Sequence, residues 1–294
     1  MFVSRSVRQL NCAPRLQNLL SVMNTLSKLS MNARDHETGD ANKVIQGLWI
    51  GPELSVMEQL SIISFLRNGH EYHLYVYDTV KNIPVGTVIK NGNDILPSSR
   101  IFQYTDRPTY SGFANFFRYR LLFERGGWWA DVDTICLKPF DFSEQYVFAS
   151  QMDQELEVIN NGIIKVPAGS EIMNCAYGVC QTKNPKRLVF GETGPRLLSQ
   201  AVRTYGLENY KQPYYVFCPI DYPEWHKVLE PYVAAVHEHA YAIHLWNEMW
   251  RLANQNKNAT YNQNCIYEQL KRRYLSDTNS LSMIPAGDHS GKDL

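Results

Sequence analysis

The feature that most constrains this chain is a helix, a glycine pair, an apolar run and two aspartates, which follow one another directly between residues 111 and 133. Residues 111–125 carry aromatic and aliphatic side chains at helical spacing, and Gly126-Gly127 ends the predicted helix. Residues 128–133 are short, apolar and aromatic, which predicts a strand that ends on Asp-Val-Asp. A helix that leads so directly into a buried strand favours a sheet covered by helices.

The rest of the chain supports an α/β fold with a mainly parallel central sheet. Strands are predicted at residues 43–50 and 71–78, and a helix at 54–68 lies between them. Ser55 and Glu58 have the spacing of a capping box at the start of that helix. Further strands are predicted at 158–166 and 241–246, and further helices at 194–205 and 262–274.

The length of 294 residues and the polar linker at 35–42 divide the chain into two parts. Residues 1–42 are expected to be a flexible or helical N-terminal extension. Up to Arg34 this extension has no acidic residue, so a transit peptide is the alternative. Residues 43–294 are expected to form a single domain.

Charge, apolar runs and cysteine content limit which partners and which cellular compartment are expected. The 29 Lys and Arg residues balance 29 Asp and Glu residues, so nucleic acid is not an expected partner. No apolar run reaches the roughly 20 residues that a membrane span needs. The six cysteines form no CxxC pair and are expected to be reduced and buried, although disulfides in a secretory compartment stay open. We expect the cytoplasm, with peripheral membrane contact; the sequon at Asn258 and the basic N-terminus argue for the alternative, the Golgi lumen or an organelle.

The Asp131-Val132-Asp133 sequence is the main candidate for chemistry. Residues i and i+2 of a strand point to the same side, about 6.5–7 Å apart, so both carboxylates can meet one ligand. Ligands of α/β sheets bind at the carboxyl ends of strands, and two adjacent carboxylates are suited to Mn²⁺ or Mg²⁺. Other interpretations stay open at this point: solvated strand-end residues, the acid and nucleophile of a glycoside hydrolase, or a sugar- or nucleotide-binding module without catalysis.

The segment FFRYRLLFERGGWWADVDTICLKPF resembles the DXD region of glycosyltransferase family 32. GLWIG (residues 47–51) is similar to the opening strand of that family, and AIHLWN (residues 242–247) is similar to its closing His-x-Trp segment. The resemblance implies a GT-A-like nucleotide-sugar-binding fold. It also implies metal-dependent, retaining transfer of a hexose from a nucleoside-diphosphate sugar, with a UDP-sugar favoured. The acceptor would be a saccharide or glycolipid in polysaccharide or glycoconjugate synthesis.

The same resemblance assigns roles to individual residues. Asp133 would coordinate the metal, Asp131 would meet the donor ribose and the water shell of the metal, and His244 would be a further ligand or touch the diphosphate. Arg118 would face the donor sugar or Asp131; its alternative is an ion pair with Glu124. The catalytic group would be Asp131, Asp133 and Arg118.

Further residues are expected at the donor. Ala114-Asn115 stands where the family often has Ser-Asp, so Asn115 offers a sugar hydroxyl an uncharged partner. Asn160 or Asn161 could also reach the sugar, or the Asn-Asn-Gly sequence there could be a plain turn. The remaining expected contacts are Trp49 and Ile50 beside the base, Gly194 beside the acceptor cleft, and Trp246 and Asn247 over the donor phosphates.

Overall fold

The computed structural model of the chain describes residues 42–232 and 236–276. The expected N-terminal extension lies outside these ranges except for Asn42, and the bounds of the expected domain at 43–294 stay a prediction. The strands are β1 Val44–Leu48, β2 Glu71–Val76, β3 Val88–Asn91, β4 Gly127–Ala130, β5 Thr134–Cys136, β6 Val147–Asp153, β7 Leu156–Val166 and β8 Ala242–His244. The α-helices are α1 Val56–Arg67, α2 Ser111–Arg125, α3 Glu171–Gln181, α4 Pro195–Thr204, α5 Tyr214–Phe217, α6 Asn247–Leu252 and α7 Ile266–Leu275.

A six-stranded sheet in the order β3-β2-β1-β4-β7-β6 forms the centre of the fold. Strands β1 to β4 are mutually parallel, whereas β7 and β6 join antiparallel. The predicted α/β fold with a mainly parallel sheet is therefore confirmed. Strands β5 and β8 form a separate antiparallel pair. The carboxyl ends of β1 and β4 lie at one edge, where ligands of such sheets bind.

Local sequence signals place several elements as expected. Helix α1 begins at the predicted capping box, where the Ser55 hydroxyl accepts from the Met57 amide and Glu58 accepts from the Ser55 amide at 2.7 Å. Strands β3 and β6 and helix α3 were not predicted. Helix α3 was missed although its buried residues have helical spacing: Ile172, Met173, Ala176, Tyr177 and Cys180.

The two adjacent tryptophans of β4 are core residues on opposite faces of the sheet. Trp128 packs among Phe65, Phe140 and Phe217, and Trp129 packs against the side of α2 with Phe117. Both side chains are almost completely buried, which anchors β4 between two apolar layers.

Two observations concern the cysteines and membrane contact. The five cysteines within the described ranges are free thiols. Among the helices of those ranges, none is long and apolar enough to cross a membrane.

Gly126 allows α2 to lead directly into β4. Its backbone lies at φ 63° and ψ −159°, a region that only glycine adopts readily. A Cβ atom at this position would lie 2.3 Å from the backbone nitrogen of Ala168. Both the backbone conformation and the lack of space therefore require glycine.

We expect Gly126→Ala to lower the free energy of unfolding by about 3 kcal/mol, since backbone strain and a backbone clash add together. Gly169→Ala is the matched control, because Gly169 has φ +75° but nothing within 4 Å of its Cβ position. The control should cost only about 1 kcal/mol. Urea unfolding followed by tryptophan fluorescence measures both; equal losses would show that the contact with Ala168 contributes nothing.

Glu157 connects the β6–β7 hairpin to the segment before α5. Its carboxylate accepts from the Ser150 hydroxyl at 2.7 Å, from Lys211 at 2.9 Å and from the Tyr214 amide at 2.6 Å. Burial opposes ionisation of this carboxyl group, but the three donors outweigh it and lower the pKa of Glu157 below its ordinary value of 4.5.

A lowered pKa means that the Glu157 carboxylate stabilises the fold fully above the pKa of the unfolded chain. The contribution disappears as the pH falls through the lower pKa of the folded state. We therefore expect Glu157→Gln to be less stable than the wild type at neutral pH, with the difference closing in acid. Thermal melts across pH 3–7, a range set by these carboxyl pKa values, measure it; a difference independent of pH would contradict the assignment.

Candidate active site

The two aspartates lie in the turn that directly follows β4, not within the strand as predicted. Strand β4 stops at Ala130, and the amide of Thr134 donates to the carbonyl of Asp131 at 2.9 Å. The Asp131 amide still donates to Gly162 of β7 at 2.8 Å, but the chain then leaves the large sheet to pair as β5 with β8. The carboxylates therefore converge through a turn and not through strand alternation.

Strand β8 brings His244 to this turn from a distant part of the sequence. His244 lies opposite Thr134 in the β5–β8 pair, and the Leu245 amide donates to the Asp133 carbonyl at 2.9 Å. The His244 Nε2 atom lies 3.2 Å from Asp133 Oδ1. Asp131, Asp133 and His244 each offer a ligand atom, and these atoms lie within 4.8 Å of one another.

The residues that follow β8 complete the surroundings of Asp133. Trp246 has φ 58° and ψ 53°, a left-handed conformation that is strained for a bulky side chain. This bend lets the Asn247 amide donate to Asp133 Oδ2 at 2.7 Å and begins helix α6. The Trp246 ring lies 4.0 Å from the His244 ring, and its indole nitrogen donates to the Ile220 carbonyl at 2.7 Å. The closing role of Trp246 and Asn247 over the donor stays a prediction.

Arg118 of α2 holds Asp131 from the opposite side. Its Nη2 atom lies 2.5 Å from Asp131 Oδ1, and its Nη1 atom donates to Asn115 at 2.8 Å. The guanidinium lies over the Trp129 ring, whose indole nitrogen donates to the same Asp131 oxygen at 2.8 Å. The alternative partner of Arg118, Glu124, pairs instead with Arg120.

Asn115, Asn161 and Gly194 also meet at the site. Asn115 Oδ1 accepts from Asn161 at 2.7 Å as well as from Arg118. A Cβ atom on Gly194 would lie 3.2 Å from Asn115 and 3.3 Å from Asn161, so the small residue allows this close approach. Thr193 is fully buried, and its hydroxyl lies 3.4 Å from the Asn115 amide.

The Asn-Asn-Gly sequence is neither a plain turn nor the start of a strand. It lies inside β7, where the pairing with β6 shifts register between Phe148 and Ser150. The Asn160 side chain accepts from the Gly162 amide at 2.5 Å, which stabilises this irregularity locally. Gly162 continues the β4–β7 register beside Asp131, whose amide donates to its carbonyl at 2.8 Å, and the Asn161 side chain donates to Asn115 at 2.7 Å.

Trp49 and Ile50 follow β1 at the same edge of the sheet. Trp49 is half-buried, its indole nitrogen has no hydrogen-bond partner within the described residues, and Lys257 lies 5.7 Å from its ring centre. Ile50 packs against the core cluster beside α2. Their contacts with a nucleotide stay predictions.

Two buried residues near the site were missed by sequence reasoning. The Cys218 thiol contacts His244 beneath the site. The Tyr72 hydroxyl is buried without a hydrogen-bond partner in the described part of the chain, close enough to both aspartates to feel their charge. Tyr72 lies in β2 and Cys218 follows α5, so only the folded chain brings them to the turn.

The charges of the site balance in two pairs. Burial raises the pKa of Asp131, and Asp133 adds to this effect while Arg118 opposes it. Burial also disfavours the charged form of Asp133, but His244 and the Asn247 amide lower the pKa of that carboxyl group. The same ion pair overcomes burial and raises the pKa of His244 well above its ordinary value. Asp131 is thus balanced by Arg118, and Asp133 by His244.

The sequence matches two family models. Residues 22–153 match the glycosyltransferase sugar-binding region containing a DXD motif, and residues 186–281 match the alpha 1,4-glycosyltransferase conserved region. The first range includes Arg118, Asp131 and Asp133, and the second includes Gly194 and His244. These matches confirm the resemblance to glycosyltransferase family 32. None of the curated proteins matches the sequence of the chain.

Solved structures similar to this chain include several transferases. PaToxG glycosyltransferase is 17% identical, with 66% of this chain and 80% of that chain covered and a TM-score of 0.43. A structure described as a transferase is 11% identical, with 69% and 93% covered and a TM-score of 0.41. The apo form of the glycosyltransferase GlyE in Streptococcus pneumoniae TIGR4 is 12% identical, with 59% and 45% covered and a TM-score of 0.34.

The two matched regions meet in space at one turn: the aspartates of the first lie against the histidine of the second. The chain carries regions of two glycosyltransferase family models, one of them containing the DXD motif, and it is a glycosyltransferase.

Proposed function

We propose that this glycosyltransferase moves a hexose from a nucleoside-diphosphate sugar to a saccharide or glycolipid acceptor, with a bound divalent cation and with retention at the anomeric carbon. The observation that carries the proposal is the convergence of Asp131, Asp133 and His244 at the carboxyl end of β4. This edge of the sheet is where nucleotides bind in α/β folds.

The residues of the site fit a cation of the proposed kind. Ligands bound at about 2.1 Å lie at most about 4.2 Å apart across an ion. The ligand atoms of the Asp-Asp-His group lie within 4.8 Å of one another, so small side-chain movements would bring them into that range. Two carboxylates with one imidazole favour Mn²⁺ over Mg²⁺, because Mg²⁺ prefers oxygen ligands throughout. When bound, the cation would neutralise negative charge that develops on the leaving diphosphate.

The side chains around the aspartates hold them in fixed positions. The Asn247 amide and His244 orient Asp133, while Arg118 and the Trp129 indole orient Asp131. Preorganised groups of this kind stabilise a transition state without the cost of rearrangement during the reaction.

Both aspartates are engaged, which bears on the mechanism. Asp131 Oδ1 accepts from Arg118 and Trp129, and both oxygens of Asp133 have partners. A glycoside hydrolase would use this pair as acid and nucleophile and would stay active after chelation, whereas chelation should abolish the proposed transfer. The arrangement supports a transfer in which the departing phosphate accepts the proton of the acceptor hydroxyl.

The position of Trp49 and Ile50 supports a nucleotide at the neighbouring strand end. They follow β1, which pairs directly with β4, so a base beside them would place its diphosphate near Asp131 and Asp133. Asn115 and Asn161 lie on the other side of Asp131 and are suited to sugar hydroxyls. We propose a UDP-sugar as the donor.

We expect UDP to bind in a Mn²⁺-dependent manner and Asp133→Asn to weaken that binding at least about 100-fold, since a charged metal ligand is lost. The variant keeps an oxygen that can accept from Asn247, so its fold should be retained. Isothermal titration with and without Mn²⁺ measures the change, and Asp94→Asn, at an exposed position, is the control. Binding of UDP that ignores Mn²⁺ in the wild type would contradict the proposal.

Arg118→Lys should reduce turnover more than binding. A lysine keeps the charge but cannot bridge Asp131 and Asn115 as the guanidinium does. We expect kcat for donor hydrolysis to fall about 100-fold, and the Kd of UDP with Mn²⁺ to change less than about tenfold.

A panel of UDP- and GDP-hexoses, scored by hydrolysis, provides the measurement for Arg118→Lys and identifies the donor. Arg120→Lys is the matched control, because Arg120 lies on the same helix and pairs with Glu124 at the surface. Equal effects of the two substitutions would remove Arg118 from the proposed machinery.

A further inference from the structure

A short basic and apolar loop lies at the surface beside the site. Residues 183–190, Lys-Asn-Pro-Lys-Arg-Leu-Val-Phe, follow α3 and precede the Thr193-Gly194 step of the site. Val189 is 63% exposed and Phe190 is 38% exposed, whereas Leu188 between them and the cations is buried. We propose that this segment, the basic loop, docks the enzyme onto an anionic lipid surface.

Contacts with a second segment fix the basic loop at its base. The Thr105 hydroxyl donates to the Lys186 carbonyl at 3.0 Å. The guanidinium of Arg107 lies 4.2 Å from the Phe190 ring centre, and the Tyr104 ring packs against the same side chain at 5.6 Å. The exposed apolar residues are therefore presented by an ordered surface, which lowers the entropy lost when they insert into a partner.

The basic loop carries positive charge that the described residues do not neutralise. Glu192, the nearest acid in sequence, pairs with Lys183 at 2.5 Å and also accepts from the Val189 amide. Asp106 pairs with Arg107. Lys186 and Arg187 are exposed, and neither has an ion-pair partner within residues 42–232 and 236–276. The chain as a whole has zero net charge, so this local excess of positive charge favours binding of a negatively charged partner.

The exposed apolar residues decide which negatively charged partner fits. A soluble polyanion would engage Lys186 and Arg187 but would gain nothing from Val189 and Phe190. A bilayer with anionic lipids offers phosphates to the cations and an apolar boundary to the side chains that follow them. Adjacent cations and exposed apolar residues therefore favour a lipid surface.

Docking at this loop would bring the site close to acceptors held in a membrane. Thr193 and Gly194 follow the loop directly, and the Tyr119 hydroxyl donates to the Thr193 carbonyl at 3.0 Å. Gly194 contacts Asn115, which in turn contacts Arg118 beside Asp131. This part of the inference rests on the proposed function, since it assigns the glycolipid class to the acceptor of the same site.

Sedimentation of the full chain with vesicles tests the proposal. Binding is compared between vesicles of phosphatidylglycerol mixed with phosphatidylcholine and vesicles of phosphatidylcholine alone. The variants are Lys186→Glu with Arg187→Glu, and Val189→Ser with Phe190→Ser. The controls are Lys43→Glu and Leu156→Ser, a cation and an apolar residue that are exposed elsewhere.

We expect the wild type to bind only the anionic vesicles. Each double variant should weaken that binding at least about tenfold, because a surface cation contributes on the order of 1 kcal/mol near anionic lipid and each buried methylene a similar amount. Both controls should bind as the wild type does.

Two results would overturn the inference. Undiminished binding by both double variants would assign membrane contact to another part of the chain, such as the basic residues before Arg34. Loss in the charge variant alone, with Val189→Ser and Phe190→Ser unaffected, would show that the exposed apolar residues contribute nothing, which removes the argument for a lipid surface over a soluble polyanion. Mn²⁺-dependent UDP binding, measured on the same proteins, separates the proposed function from membrane docking. UDP binding can fail while vesicle binding persists, and vesicle binding can fail while UDP binding persists.

Discussion

The structure of the site depends on the compensation of two carboxylates enclosed in one turn. Asp131 and Asp133 would repel each other and would be costly to bury without partners. Arg118 lies against the first at 2.5 Å and His244 against the second at 3.2 Å. One partner comes from a helix before the turn and the other from a strand more than a hundred residues after it. The turn therefore joins the large sheet, helix α2 and the β5–β8 pair into one framework.

The sequence predicted the parts of the site that local pattern can encode. Gly126 ends a helix, the Trp pair forms a buried strand, and the Asp pair follows at its carboxyl end, all within twenty-three residues of Ser111. His244 could be proposed only through the family resemblance, because an apolar strand with one histidine has no metal signature of its own. Asn115 and Arg118 are three residues apart, and this spacing predicts that both side chains lie on the same face of the helix.

What sequence could not give depends on pairings between distant segments. Strand β4 stops at Ala130 because the following residues pair with β8, and nothing within residues 128–133 indicates that competition. The bulge at Asn160–Gly162 likewise arises from the different registers that β7 needs towards β4 and towards β6. Cys218, which follows α5, reaches His244 only in the folded chain. Each miss is a case where tertiary contacts decide a local conformation.

The contacts around the site hold the backbone of Trp246 in a strained, left-handed conformation. A bulky residue in the left-handed region costs on the order of 1–2 kcal/mol, and it persists only where neighbouring contacts overdetermine it. Here the Asn247 amide is fixed to Asp133 Oδ2, and the Trp246 indole to the Ile220 carbonyl. A cation shared by Asp133 and His244 would replace their direct contact and would alter the acceptor that holds Asn247. Occupation of the site by a cation would therefore be linked to the conformation of residues 244–247 through the Asp133 carboxylate.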